Sequence, residues 1–378
     1  MVEFQGNSFM GPLHLPSNQS IDLNFLDVSN NSFDGQLQEN IGKIIPKSEN
    51  LILSNNHFEG RLPSSISDVS SLSVLDLSSN NFYGELPMEI VANCTLLMAL
   101  RLSNNHFQGE FFSKHFNLSS LEALELSNNH FISSFLVVPL KYLLYIDVSN
   151  NDMSGTIPEW IGGGQIFMIA STLNLRSNFF KGQIPCGVSS FDIIDISWNL
   201  LFGLLPSCLN LQNVQHLLLH GNKLTGLLPK AILNSSYLLT LDIRDNNFFG
   251  SILDEIVGFP NLKGLLLRGN NFSGLIPKKL CRLKMLSIID LSKNSFSGTI
   301  PYCFMNIVFG KPVKGVIHYG SRISVGFLAD FFPYKSLLNV EFLIEGSFTY
   351  FNTQVKIEIV TKYRSDLYMG LVLDRISV

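Results

Sequence analysis

Three basic side chains recur at one spacing. His220, Arg244 and Arg268 stand 24 residues apart. If a repeat brings such positions together, they form a cationic stripe, and guanidinium forks suit carboxylates. Arg176 occupies the same register farther upstream, and Trp198 and His216 lie nearby in the chain. This set reads as a binding site for an anionic or carboxylate-bearing group of a peptide, with an ordinary solvated surface as the alternative. Chemistry that breaks bonds finds no comparable support. His216 and His220 would share a metal on a helix, but on a strand they stand about 13 Å apart. The chain contains no H-E-x-x-H, G-x-S-x-G, P-loop or kinase signature. Gly162-Gly163-Gly164 is a lone glycine run and reads as loop. No enzyme, cofactor or metal centre is expected.

The elements that position these residues follow from a repeat. The phrase L-x-L-S-x-N-x-F recurs around Asn7, Asn31, Asn56, Asn80, Asn105, Asn129, Asn151, Asn178, Asn199, Asn222, Asn246, Asn270 and Asn294. The gaps run from 21 to 27 residues, within the period of leucine-rich repeats. Apolar residues five and three positions before each Asn, such as Leu75 and Leu77, alternate with polar ones. That period marks a short strand with one buried face. The Asn closes the strand, and its amide suits backbone groups that a bending chain leaves unpaired. An aromatic such as Phe58 or Phe82 two residues later fills the core. A glycine follows at +4 in twelve of thirteen units, with Ser133 the exception, which marks a bend that a Cβ would obstruct. Proline at +7 in eight units places an edge or an extended segment on the convex side. The predicted fold is an α/β repeat solenoid whose thirteen stacked coils span about 60 Å.

Residues six, four and two before each Asn face outward from the strands. Position −4 is often Asp, as in Asp27, Asp76, Asp147, Asp195, Asp242 and Asp290. Position −2 is Ser in most early units. It becomes Arg176, Ser197, His220, Arg244 and Arg268 later. Like charges at about 5 Å are not placed for stability, although Asp242 and Asp245 offset part of the repulsion, and this makes the late units the binding candidates.

Composition bounds the rest. Hydrophobic residues make up 46% and charged residues 15% of 378, which excludes a disordered chain. A net charge of −4 carries no nucleic-acid footprint. No apolar run is long enough to span a bilayer, and the N-terminus does not read as a signal peptide.

The pattern L-x-x-L-D-L-S-x-N-x-F-x-G-x-I-P, clearest from Leu72 to Pro87 and in Ile289 to Pro301, resembles the plant-type leucine-rich repeat over residues 2–303. The resemblance implies a horseshoe or superhelix with short parallel strands on its concave face. Residues 304–378 lose the rhythm. Glu341-Phe342, then Lys362, Arg364, Tyr368 and Gly370, resemble the end of the non-repeat island of plant receptor-like proteins. The division expected is repeats over 1–303 and an island-like segment over 304–378. Membership of that family implies the ligand-binding extracellular part of a kinase-less receptor at the plasma membrane. It would bind a peptide or protein and signal in defence or development through receptor-kinase co-receptors. Lys362, Arg364 and Tyr368 are then co-receptor or island candidates. The usual cysteine-bearing cap, later repeats and membrane helix of the family are expected to be missing from this chain. A secreted inhibitor of a cell-wall-degrading enzyme and a truncated, non-functional fragment stay open as alternatives.

Cysteines and sequons bear on the compartment. Cys281 with Cys303, and Cys186 with Cys208, fall in adjacent coils within disulfide reach, with four buried thiols as the alternative. Cys94 has no partner in register and reads as a core filler. N-glycosylation sequons begin at Asn18, Asn30, Asn93, Asn117, Asn234 and Asn271. Together these favour an extracellular setting.

Overall fold

The structure is a computed structural model. It describes residues 1–16, 20–135, 140, 142–162, 171–233, 235–306, 340–344, 348–350, 353–355 and 359–363. Thirteen short strands, from Val2–Glu3 through Val74–Asp76 to Ile288–Asp290, form one sheet in strict chain order. Every neighbouring pair is parallel, as in Val74 beside Ala99 and Thr240 beside Gly264. Parallel neighbours at constant offset require each coil to return to the same point, which the near-constant repeat length provides. Between the first and last coils the inward residues of each strand are buried, Leu75 and Leu77 fully so.

The Asn positions act as the repeat predicts. Asn105 Nδ2 donates to Leu102 O of its own coil at 3.1 Å and to Leu77 O of the preceding coil at 2.9 Å. Its Oδ1 accepts the Phe82 N–H of the preceding coil at 3.0 Å. One amide thus satisfies three backbone groups that the turn takes out of the ladder. The same bonds recur down the stack, for instance at Asn56, Asn199 and Asn270. Behind the ladder the phenylalanines stack. Phe33, Phe58, Phe82, Phe107 and Phe131 follow one another with ring centroids 6.0–6.2 Å apart.

After the Asn, each coil adds a second parallel strand. These strands form a six-stranded sheet ending at His130–Phe131 and a seven-stranded sheet starting at Ser154–Thr156. The +4 glycines end or bend these strands. All twelve have φ between 72° and 97°, where L side chains are strained. The division between the two sheets coincides with Ser133, the unit without that glycine. The +7 prolines do not form an edge strand. Pro63, Pro185 and Pro277 hold extended backbone at the start of 3-10 turns such as Ser64–Asp68, and Pro87 precedes the α-helix Met88–Asn93. A missing N–H costs nothing at that position.

Two disulfides join adjacent coils on this side. Cys186–Cys208 and Cys281–Cys303 have Cα separations of 5.7 and 5.8 Å. Cys94 is buried and free, and burial pushes its thiol up to about 11. Beyond the repeats, Val340–Ile344 pairs antiparallel with Ile359–Tyr363, and Phe348–Tyr350 pairs with Thr353–Val355.

Candidate ligand-binding face

The outward positions of the thirteen-stranded sheet carry the candidate residues. Their neighbours are set by register. His216 lies beside Ile193 and Thr240, and Asp242 beside Leu218 and Leu266. The −2 residues follow two positions farther on, so His220, Arg244 and Arg268 occupy successive coils.

The stripe does not consist of three free cations. Arg244 Nε and Nη2 grip Asp242 at 2.9 and 2.6 Å. His220 Nδ1 lies 3.2 Å from Oδ2 of the same carboxylate, the oxygen that also accepts from Arg244 Nη2. Burial alone would raise this carboxyl. The hydrogen bonds from His220 and Arg244 outweigh it and hold Asp242 down to about 2. Arg268 differs from both. Its guanidinium makes no hydrogen bond or ion pair with any described residue, and its Nε is buried without a partner. Arg176 is half-buried beside Asp195. Asp195 is fully buried and raised by that burial, although Ser197 donates to it through both N–H and Oγ–H.

His216 sits at the far edge of the strand, away from Arg268. Its Nδ1 lies 3.1 Å from Thr240 Oγ1. Burial and the Lys263 charge bring its pKa down to about 4, so the ring is neutral at pH 7. Trp198 is half exposed, and its ring meets the His220 ring edge-on at 5.8 Å. The structure therefore brings Trp198, His220, Asp242 and Arg244 into one connected cluster with Arg268 in the next coil. His216 and Arg176 lie outside that cluster.

The other candidates fall as follows. Asn30, Asn93, Asn117 and Asn271 are exposed. Asn18 and Asn234 lie outside the described residues. Lys362 lies on the strand Ile359–Tyr363, and Arg364 and Tyr368 lie outside the described residues. No group of three or more metal-ligating side chains occurs among the described residues. No helix among them is long and apolar enough to cross a membrane.

Two features escaped sequence reasoning. The residue just before each ladder Asn is left-handed in all thirteen coils, with φ between 50° and 69°. Its signal is the prevalence there of Asn, Ser and Gly, types that tolerate this backbone. The second is a row of ion pairs at −4. Arg101 Nε lies 3.0 Å from Glu125 and its Nη1 3.7 Å from Asp76. Opposite charges one coil apart at a shared position were the available clue.

Comparison with known proteins gives the same assignment. The Leucine Rich Repeat family model matches residues 48–69, 71–93, 142–163, 213–235, 261–283 and 285–307. Receptor-like protein 35 of Arabidopsis thaliana is 34% identical over 123 residues, 32% of this chain and 13% of that protein. Receptor-like protein 31 of the same plant is 32% identical over 108 residues, 27% of this chain and 12% of that protein. The aligned segments thus span about an eighth of the relatives' length. Among solved structures, the Arabidopsis receptor kinase HAESA, in complex with the peptide hormone IDA and the co-receptor SERK1, superposes with a TM-score of 0.72 at 32% identity. That match covers 80% of this chain and 51% of HAESA. The ectodomain of GASSHO1/SCHENGEN3 from Arabidopsis thaliana, in complex with CASPARIAN STRIP INTEGRITY FACTOR 2, gives 0.67 at 27% identity, covering 80% and 39%. The repeat, its ladder and these comparisons lead to one conclusion: the chain is a leucine-rich repeat solenoid, similar to plant receptor-like proteins over about a third of its length.

Proposed function

We propose that this chain is the ligand-binding extracellular portion of a kinase-less cell-surface receptor. It recognises a peptide through its concave sheet and signals, in defence or development, through partner receptor kinases. The observation that carries this reading is Arg268. A guanidinium with a buried, unpartnered Nε on a binding face is costly unless a ligand completes it. A peptide carboxylate is the matching group, since it accepts two parallel N–H bonds from one guanidinium. Arg244 supports this end of the site as part of a neutralised cluster and not as a second free cation. The solved relatives lend support, since HAESA is described with a peptide hormone and a co-receptor. The exposed sequons at Asn30, Asn93, Asn117 and Asn271 and the two disulfides suit an oxidising, extracellular compartment.

The test is surface-plasmon binding of matched peptide pools with free and amidated carboxyl ends. Wild type should retain the free-carboxyl pool preferentially, and Arg268→Ala should lose that preference by tenfold or more, on the order of one charge-assisted hydrogen bond pair. Equal retention of both pools by wild type would overturn the reading.

A further inference from the structure

Trp198 occupies a position that suits almost any other small or polar residue better. In the other twelve coils the residue before the ladder Asn is Asn, Ser, Gly, Asp or Lys. Asn and Gly accept left-handed backbone readily, and Asn also links to its neighbours there. Asn150 donates to Asn128 at 2.8 Å, and Asn128 to Asn104 at 2.7 Å. A tryptophan at φ 52° gives up those bonds and strains its own backbone. Nor does its ring serve the core, because it is 50% exposed.

The ring is nonetheless held in place. It lies on Gly221 of the next coil. A Cβ there would come within 2.7 Å of Trp198 Cε3 and 2.8 Å of Cδ2, so only glycine permits this contact. The His220 ring stands edge-on to the indole at an interplanar angle of 86°. Asp242 fixes His220, and Arg244 fixes Asp242. Five residues from three consecutive coils therefore present one aromatic surface in a single orientation. A surface ordered before binding loses little entropy when it is occupied.

We infer that Trp198 is a second subsite of the concave face, one that takes a proline or aromatic ring of the bound peptide. The inference rests on the carboxylate reading of Arg268 for its spacing. Charge decides between the two ligand classes that an indole accepts. A cation is disfavoured because Asp242, the carboxylate of this cluster, is already gripped by Arg244 and has no charge left to pair with one. An uncharged ring stacks or packs edge-on on the indole and needs no counter-charge. Spacing adds the position. The indole covers the coil of Gly221, and Arg268 lies two coils farther on, about 10 Å away at about 4.8 Å per strand. An extended peptide advances about 3.3 Å per residue, so the ring belongs to the third or fourth residue from the carboxyl end.

The experiment uses the whole chain carrying Trp160→Phe, which leaves Trp198 as its one indole. The probes are acetylated hexapeptide pools with a free carboxyl end, each with one position fixed in turn as Pro, Phe or Ala. Trp198 emission reports binding directly. Pools with Pro or Phe third or fourth from the end should bind about five- to tenfold tighter than Ala pools and shift the emission. Trp198→Asn should erase this ring preference, read by surface-plasmon binding, and keep the preference for a free carboxyl end. Arg268→Ala should do the reverse. A ring preference that survives in Arg268→Ala, with no free-carboxyl preference in wild type, sinks the carboxylate reading and leaves the ring subsite standing. A flat position scan, a ring preference unchanged in Trp198→Asn, or emission that no pool moves overturns the subsite.

Discussion

The early coils, about residues 25–160, and the late coils, 171–297, share one backbone and differ in what they place on it. In the early coils the outward residues bond to each other. Asn55 donates to Asn30, Asn128 to Asn104, and Ser127 to Ser103. Arg101 is held between Asp76 and Glu125. The outer side of their second sheet is mostly polar, with Asp34, Glu59 and Gln108 exposed and Met10 and Tyr83 the exceptions. In the late coils those self-contained rows break off. Trp198 and Gly221 replace the asparagines, the Arg268 guanidinium has no partner among the described residues, and Phe202, Leu204, Phe249 and Leu275 are exposed on the second sheet. Both disulfides also lie in the late coils. The contrast teaches that one scaffold divides its work. The early half ties its outward residues together in rows. The late half exposes an indole, leaves a guanidinium without a partner among the described residues, and carries both disulfides.

Breaking the scaffold common to both halves should have the largest effect. Asn105→Ala strands three buried backbone groups and should cost on the order of 4 kcal/mol in urea unfolding. Asn246→Ala in the late coils removes the same bonds and should cost as much. A clear inequality would mean that the ladder itself differs between the halves. Next comes the staple. Replacing Cys281 and Cys303 with Ser opens a link with a sequence separation of 22 and should cost about 3 kcal/mol. Hydrogen exchange should show the loss in the late coils, with the early coils still protected.

Acid should separate the halves further. His216 has its folded pKa lowered to about 4 from an ordinary 6.5. A depressed pKa contributes stability above the unfolded value, lost as pH falls from about 6.5 to 4. Buried Asp147 and Asp195 are raised, so their contribution has the opposite sign and is present at low pH. The difference between wild type and His216→Phe isolates the histidine. It should change by about 3 kcal/mol between pH 7 and pH 4, and a pH-independent difference would refute the assignment. The smallest effect is a gain. Trp198→Asn should stabilise the chain by about 1 kcal/mol by relieving left-handed strain. A loss of stability would mean that the indole is structural after all.

Much of this fold is legible in the residues alone. A strict period puts equivalent positions side by side, so Asn105, Gly109 and the cysteine pairs can be placed by counting. The stripe was only half legible. Counting places His220, Arg244 and Arg268 in one column, but it does not show that Asp242 reaches across to two of them and none to the third. That outcome depends on rotamers, not on register. The left-handed position before each Asn was hidden for another reason. Its residue types vary from Gly6 to Lys293, and the constraint is on the backbone, not on a side chain. Lys362, Arg364 and Tyr368 rest on resemblance, with no period to place them.

The central claim is that the late half of the concave face binds and the early half does not. Its most direct test compares Arg101→Ala with Arg268→Ala for retention of a free-carboxyl peptide pool, with circular dichroism confirming the fold of each. Arg101→Ala should retain the pool as wild type does, and Arg268→Ala should fall tenfold or more. Retention that is unchanged in Arg268→Ala, or equally lost in both, would contradict it.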